Sequence, residues 1–500
     1  MKDKNILDAL GEIDPSFIKE AAPERLPDAS AKVKGRRVHW RRWIPAVAAI
    51  LTVVILLGTL LGGVPGILPS DGEGETTTGG FTEHLLQRYQ LLAATYPAMA
   101  KCPTDEPDSV ALKAWMQEMS LRRAYFGAGS NLDEFFERTV SQFLSDAGTE
   151  NVVYSPLNVY MALAMLAETA AGESRQQILD LLNCDSIEAL RTQVHAIWNA
   201  NYMNDGRSTS ILANSVWLDE DIPYVRETLQ TLAEQYYASS FQGQMGSEEY
   251  NQVLHGWMND QTGGALKDQI NGIKMSPFTV FALVSTVCFE GGWGSPFSEK
   301  AVTDGVFHGA LGDTECEMMS RRLNEYNYCW GDRFTVVGLG MSSGSMDFIL
   351  PDEGVSVEEL LTDAQALQFI VSREVGSRCK AMDVNLSIPK FDVESQMDLI
   401  KDLKALGVTD CFDDEKADFS AMTTLPESIA VGKIQHGVRV TVNEQGAKAV
   451  AYTFIDFPET GVLPEELEEI DFIVDRPFIF VIRNAEGLPL FVGVVNQVNK

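Results

Sequence analysis

A long uncharged segment near the N-terminus restricts how this chain can be organised. No Asp, Glu, Lys or Arg lies between Arg42 and Asp71, and the run from Ile44 to Leu68 is almost wholly apolar. This run is long enough to cross a bilayer, which takes roughly 20 helical residues. It follows directly on six basic residues, which are Lys32, Lys34, Arg36, Arg37, Arg41 and Arg42. By the positive-inside rule, the part before the run stays in the cytoplasm and the part after residue 70 is exported.

The sequence therefore predicts a cytoplasmic segment over residues 1–42 and a transmembrane signal-anchor helix over residues 43–69. A cleaved signal peptide is the alternative, but the apolar run begins late in the chain and no A-x-A site follows it. Residues 70–80 are Gly-, Thr- and acid-rich and predict a flexible stalk. Residues 81–130, with helical periodicity at Leu85, Leu86 and Tyr89, predict a structured lead-in to a main domain over residues 131–500.

The charge balance favours basic partners. The chain carries 71 acidic and 39 basic residues, a net charge of −32, and 45% of its residues are hydrophobic. Such a surface repels phosphate backbones, so nucleic-acid binding is disfavoured.

The cysteines predict neither a disulfide framework nor a metal site. There are seven of them, an odd number, and no C-x-x-C pair occurs. We expect most of them to be small buried hydrophobic residues, and we expect no metal or cofactor. They are Cys102, Cys184, Cys288, Cys316, Cys329, Cys379 and Cys411.

The main domain mixes helical and strand patterns, which predicts an α+β fold with large sheets. Asn131 is expected to cap a helix together with Glu134. Ser155-Pro156 supplies an N-cap and a first-turn proline for a helix that is apolar on nearly every side and should be buried.

Strand patterns dominate the C-terminal part of the chain. Val438, Val440 and Val442 alternate with polar residues, which predicts a half-buried strand. Residues 478–482 and 490–495 are apolar and flank a turn sequence, which predicts a terminal hairpin.

Several blocks resemble the serpin family, in family order across residues 131–500. They are Asn151–Asn158, Phe289–Trp293, Ile388–Phe391, Asp418–Ser420, Asp475–Phe478 and Phe491–Asn496. With the predicted anchor, the chain resembles membrane-anchored bacterial serpins. The resemblance implies a serpin fold with large mixed β-sheets, surrounding helices and an exposed reactive-centre loop.

The resemblance also implies a hinge at Glu444 and Gly446. In the family, a protease attacks the loop that follows, and the cut loop inserts as a new strand of the main sheet. An inserted strand must offer small residues to the packed side. Every second residue from the hinge meets that need, namely Ala447, Ala449, Ala451 and Thr453. Lys448, Tyr452 and Asp456 fall in the other register and would face solvent.

Three further residues match the region where serpin sheets open. Trp293 resembles the family's tryptophan at the top of the main sheet. His436 matches a histidine beneath the sheet, and Ser285 stands where the family usually has the asparagine that bonds it. We expect Ser285 to reach His436, directly or through water. Ala447 also departs from the family, which usually has Thr there.

Family spacing places the reactive bond sixteen residues after Glu444, between Thr460 and Gly461. The span from Gly446 to Pro477 is longer than usual, so Glu459 and Val462 remain alternatives for the residue before the bond. A small β-branched Thr fits the shallow specificity pocket of an elastase-like protease.

The chain is thus expected to be a suicide inhibitor of an extracellular serine or cysteine protease, acting as a monomer through a covalent complex. A non-inhibitory serpin-fold binding protein or a simple protease substrate is the alternative. Ser155, Asp418 and His436 suggest a catalytic triad, but Ser155 is better explained as a helix cap and no G-x-S-x-G elbow occurs. We therefore do not expect an enzyme. The expected location is the cell membrane, with a single span and the main domain outside.

Overall fold

The computed structural model describes most of the chain after residue 78. The described residues are 49–59, 79–94, 96, 99–102, 110–125, 127, 131–205, 209–262, 264, 270, 272–342, 344–373, 378–426, 428–446 and 467–498.

Helices and strands alternate irregularly along these residues. The helices are α1 (Gly79–Tyr89), α2 (Val110–Arg122), α3 (Asp133–Leu144), α4 (Pro156–Thr169), α5 (Gly172–Leu181), α6 (Ile187–Asn201), α7 (Arg226–Gln235), α8 (Glu248–Gln261), α9 (Val357–Leu360), α10 (Ala364–Ser372) and α11 (Ile400–Ala405). The strands are β1 (Ala49–Thr59), β2 (Gln90–Leu92), β3 (Val152–Tyr154), β4 (Met203–Asn204), β5 (Thr209–Asp219), β6 (Ala238–Gly243), β7 (Thr279–Glu290), β8 (Val302–Gly309), β9 (Gly312–Trp330), β10 (Phe334–Met341), β11 (Gly344–Pro351), β12 (Cys379–Pro389), β13 (Phe391–Asp398), β14 (Ile429–Val442), β15 (Glu469–Ile473), β16 (Phe478–Asn484) and β17 (Pro489–Val495).

The first sheet has the strand order β13-β14-β1-β7-β5-β6-β2, with β4 paired to β5. It is mixed, because β1 runs parallel to both β14 and β7 while β7 and β5 are antiparallel. The expected alternation of β14 is confirmed: Val438, Val440 and Val442 are buried, whereas Arg439 and Thr441 are partly exposed.

The second sheet has the order β15-β12-β9-β10-β11-β16-β17-β3, with β8 paired to β9. Its only parallel pair among the described strands is β12 with β15. The predicted terminal hairpin is confirmed by the antiparallel pairing of β16 with β17. With mixed sheets and eleven described helices, the fold is α+β, as the sequence predicts.

Helix α4 lies between the sheets, packed against β7 of the first and β17 of the second. All of its residues are buried. The predicted start is confirmed, because Ser155 is the N-cap, its side chain accepts a hydrogen bond from the Asn158 N–H, and Pro156 follows. A capped, almost wholly apolar helix can be buried without leaving its first amide groups unpaired.

The predicted cap of α3 is wrong. The helix begins at Asp133, and the N-cap residue Leu132 makes no side-chain capping bond. The Asn131 side chain instead accepts a hydrogen bond from Gln193 of α6, at 2.7 Å. A tertiary partner has therefore replaced the local one, and Asp133 and Glu134 supply negative charge in the first turn.

The lead-in segment packs on the outer face of the first sheet. Leu85, Leu86 and Tyr89 of α1 contact a hydrophobic cluster that includes Trp217 and Tyr250. Arg88 pairs with Glu249 of α8 at 2.9 Å. Strand β2 then extends the sheet at β6.

The predicted transmembrane segment lies partly within the described residues. Residues 49–59 form strand β1 inside the first sheet, not a helix. In the described residues, no helix is long and apolar enough to span a membrane. An apolar run rich in Val and Ile fits a central strand as well as a lipid-spanning helix, and periodicity does not separate the two, so the membrane location stays a prediction.

The expectation of no disulfide also needs a correction. Cys329 and Cys379 form a disulfide between the paired strands β9 and β12. They are 50 residues apart, so their pairing follows from strand register and not from sequence spacing. Cys184, Cys288, Cys316 and Cys411 are buried and form no disulfide, as expected, and Cys102 is half-buried and forms none either.

Candidate functional site

The predicted hinge begins where strand β14 ends, at one end of the first sheet. The indole N–H of Trp293 donates a hydrogen bond to the carbonyl oxygen of Asn443, at 2.8 Å. The Phe297 N–H donates to the carbonyl oxygen of Glu444, at 2.9 Å. The segment that follows β7 thus holds the backbone that follows β14.

Gly446 closes this contact in a conformation that other residues rarely adopt. Its φ is +61°, and it forms an isolated β-bridge with Gly292. A Cβ placed on Gly446 would lie 2.4 Å from the backbone nitrogen of Trp293. Both the left-handed backbone and this close approach require glycine.

Trp293 is itself held firmly. Its side chain is buried and contacts Phe297 edge-on, with ring centroids 6.0 Å apart. It also packs on Phe348 of β11 and forms an isolated β-bridge with Met341 of β10. The tryptophan therefore ties the hinge to the second sheet.

Glu444 is paired with Lys390, a residue that sequence reasoning missed. The Lys390 ammonium lies 2.6 Å from Glu444 Oε1 and 3.2 Å from Glu317 Oε2. The side chains of Lys390, Glu444 and Glu317 are 24%, 18% and 55% exposed, respectively. Lys390 lies in the resemblance block Ile388–Phe391, and that block was the available signal.

The two partners shift each other's titration. Partial burial raises the pKa of the Glu444 carboxyl, but the hydrogen bond and charge of Lys390 outweigh it, so the net pKa is lowered. Burial likewise lowers the pKa of Lys390, yet the bonds to Glu444 and Glu317 raise it overall. Both groups are therefore charged at neutral pH and hold the start of the hinge to the turn before β13.

Ser285 and His436 lie deeper in the first sheet, and the structure does not place them on neighbouring strands. Ser285 is on β7 and His436 on β14, and Ile55 of β1 is the backbone partner of both. Ser285 Oγ donates to Asn158 Oδ1 at 2.6 Å, and His436 Nε2 accepts from the Ser155 N–H at 3.1 Å. Each thus contacts the N-terminus of α4, and a contact between the two through water stays a prediction.

The small hinge residues and the reactive bond lie outside the described residues. These are Ala447, Ala449, Ala451, Thr453, Thr460 and Gly461. Their assignment stays a prediction from the sequence.

No metal site is visible in the part of the chain that the structure describes, since no group of three His, Cys, Asp or Glu side chains converges there. The site consists mainly of contacts between the backbone after β7 and the backbone after β14. The C-terminal ends of β7 and β14 lie at the same end of the sheet, and Gly446 lies at that end too.

Comparisons with known proteins agree with this geometry. The sequence model of the family described as serpin (serine protease inhibitor) matches residues 130–498. The chain belongs to the serpin family. It therefore has the serpin fold, and the family is described as one of protease inhibitors, which are not enzymes.

Individual relatives are distant but cover most of the domain. Serpin-ZX of Arabidopsis thaliana is 28% identical over 73% of this chain and 95% of its own length. Plasminogen activator inhibitor 1 of Sus scrofa is 26% identical over 73% of this chain and 91% of its own. The native-state crystal structure of Tengpin, a thermophilic serpin, superimposes with a TM-score of 0.64 at 24% identity, over 83% of this chain and 99% of that one.

Proposed function

We propose that this serpin is a suicide inhibitor of an extracellular serine protease, with cysteine proteases as a second target class. The observation that carries the proposal is the position of Gly446. Gly446, with its left-handed backbone, starts the loop beside Gly292, at the end of the sheet where β7 and β14 both finish. A loop that starts there begins at the end of the two strands between which it would insert.

The proposed chemistry uses the protease's own nucleophile. The serine Oγ attacks the carbonyl carbon of Thr460, a C–O bond forms, and the bond from Thr460 to Gly461 breaks. The Gly461 amine leaves with the proton. Insertion of the cut loop then moves the acyl-enzyme before water can hydrolyse it, so the native fold acts as a kinetic trap.

The target proposed is an elastase-like protease, because Thr460 is small and β-branched. The net charge of −32 would speed encounter with a basic protease by long-range steering. Rapid covalent capture of a trypsin-like protease, with no reaction toward an elastase-like one, would contradict this choice.

The proposed location is the outer face of a cell membrane, with residues 43–69 as the anchor. The disulfide between Cys329 and Cys379 supports export, because disulfides persist mainly in oxidising compartments. The basic cluster before the apolar run supports a cytoplasmic N-terminus.

A second candidate is a non-inhibitory serpin that binds a partner or is simply cleaved. One observation favours it: β1 occupies the position between β7 and β14. A sheet that keeps β1 cannot accept the loop, and the loop would then be cut without trapping.

Mixing the full chain with elastase-like, trypsin-like and papain-like proteases tests the proposal. We expect a band at the summed mass on denaturing gels, and a released peptide that begins at Gly461. Ala449→Arg should convert the inhibitor into a substrate, because its bulk falls on the packed register. Lys448→Arg, in the other register, is the matched control and should still trap. Cleavage without a complex in every chain would establish the second candidate.

A further inference from the structure

Strand β1 occupies the position between β7 and β14, which is where the proposed mechanism would insert the cut loop. Its residues pair with β14 from Ala49 to Gly58 and with β7 from Ile50 to Thr59. We propose that residues 49–59 are an internal blocking strand, which must leave the sheet before the reactive loop can enter. This inference rests on the proposed inhibitory function and deepens it by naming a regulatory segment.

The hydrogen-bonding edges of both neighbours are already used. A β-strand has two edges, and β7 pairs on its other side with β5, while β14 pairs on its other side with β13. With β1 in place, the edges of β7 and β14 that face each other are both paired, so no strand can be added between them. Loop insertion and β1 docking are therefore mutually exclusive.

The two occupants would run in opposite directions. Strand β1 is parallel to β14, whereas a loop that turns back after Gly446 would run antiparallel to it. No intermediate can keep both in register, because each needs the same N–H and C=O groups of β7 and β14. Displacement of β1 must therefore be complete over the length that the loop occupies.

The blocking strand is also part of the predicted anchor over residues 43–69. A bilayer and a sheet interior both require that every backbone polar group be paired, in a helix or in a ladder. The same residues satisfy one arrangement at a time. Membrane insertion would thus hold residues 49–59 away from the sheet, so the anchored chain would be the inhibitory form.

A cysteine pair in the full chain tests the position of β1. Val54 and Gln435 are backbone partners on β1 and β14, so Val54→Cys with Gln435→Cys should form a disulfide. Lys433 is the partner of Thr52, so Val54→Cys with Lys433→Cys is the out-of-register control. Masses of joined tryptic peptides measure the yield. We expect a high yield for the first pair and at least tenfold less for the second.

Trapping assays on the same variant test the blocking role. The oxidised protein with cysteines at positions 54 and 435 should be cleaved by protease without a covalent complex. Reduction should raise complex formation at least tenfold, and unsubstituted protein given the same reductant controls for loss of Cys329–Cys379. Reconstitution in phosphatidylcholine vesicles before oxidation should lower the cross-link yield and raise trapping.

Three outcomes would overturn the inference, and a fourth would overturn the proposed function on which it rests. Equal yields for the two cysteine pairs would mean that β1 does not lie in register between β7 and β14. Equal trapping by the oxidised and reduced forms would show that β1 does not block. An unchanged cross-link yield in vesicles would exclude release by the membrane. If neither the unsubstituted chain nor the reduced variant traps any protease, the proposed function fails, while the cross-link still reports where β1 lies.

Discussion

The indole N–H of Trp293 and the carbonyl oxygen of Asn443 are joined by a 2.8 Å hydrogen bond that crosses from the end of β7 to the end of β14. This bond places a buried aromatic side chain over the start of the hinge. It also makes the hinge dependent on a residue that packs against the second sheet.

Trp293→Phe should loosen the hinge without emptying the aromatic cluster. An aromatic ring is retained and the N–H donor is lost, so we expect a stability loss of about 1 kcal/mol. Hydrogen exchange of residues 440–446 should become faster. Trp115→Phe is the control, because its indole N–H bonds Asp205 at 3.0 Å in the lead-in segment. Equal exchange at 440–446 in both variants would contradict the assigned role.

Gly446→Ala should destabilise the protein through both strain and contact. A left-handed backbone costs a non-glycine residue roughly 1–3 kcal/mol, and the added Cβ would meet the Trp293 backbone nitrogen. Gly487→Ala is the control for strain alone, since Gly487 has φ +90° and a Cβ added there would meet nothing within 4 Å. Chemical denaturation should show the larger loss for Gly446→Ala. Equal losses would mean that the close approach to Trp293 does not matter.

Lys390→Met should lower stability at pH 7 by about 1–3 kcal/mol, because it leaves a mostly buried Glu444 without its cation. The pKa of Glu444 is lowered by folding, so its contribution is present above the unfolded pKa and is lost as pH falls through the folded value. The pKa of Lys390 is raised, so its contribution is lost only as alkaline pH passes the folded value.

The difference between Lys390→Met and the unsubstituted chain should therefore be widest near neutral pH and shrink below about pH 4. Denaturant midpoints across pH measure it. Lys416→Met is the control, because Lys416 is 59% exposed in its pairs with Asp410 and Asp413. We expect an effect below about 1 kcal/mol there. A pH-independent effect of Lys390→Met would argue against the ion pair.

Local patterns predicted the elements whose determinants lie close together in the chain. The cap of α4 needs only Ser155 and Asn158, and the alternation of β14 needs only consecutive residues. The ion pair between Lys390 and Glu444 joins residues far apart in sequence, and nothing local indicates it. For β1, the apolar pattern predicted a membrane helix and the structure shows a strand over residues 49–59, because composition does not distinguish a lipid-spanning helix from a strand inside a sheet.

At the hinge, too, local features could be predicted from the sequence and long-range contacts could not. The sequence supplies Gly446 and the small alternating residues that follow it, and family order makes the assignment specific. The sequence does not show why Gly446 must be glycine, because that requirement comes from the close approach of the Trp293 backbone in the segment after β7. The bonds that Ser285 and His436 make to the start of α4 were not predicted for a related reason, since their partners lie far away in the sequence.

Removing the disulfide with Cys329→Ser and Cys379→Ser should lower the free energy of unfolding by about 2–4 kcal/mol. The bond joins residues 50 positions apart, and its loss frees the unfolded chain to sample more conformations. Denaturation of the unsubstituted chain should respond to reductant by the same amount, whereas the double variant should not respond. Cys102→Ser, which changes a free half-buried thiol, should leave the response to reductant intact. If reductant destabilises the double variant as much as the unsubstituted chain, the bond between β9 and β12 is not the source of the effect.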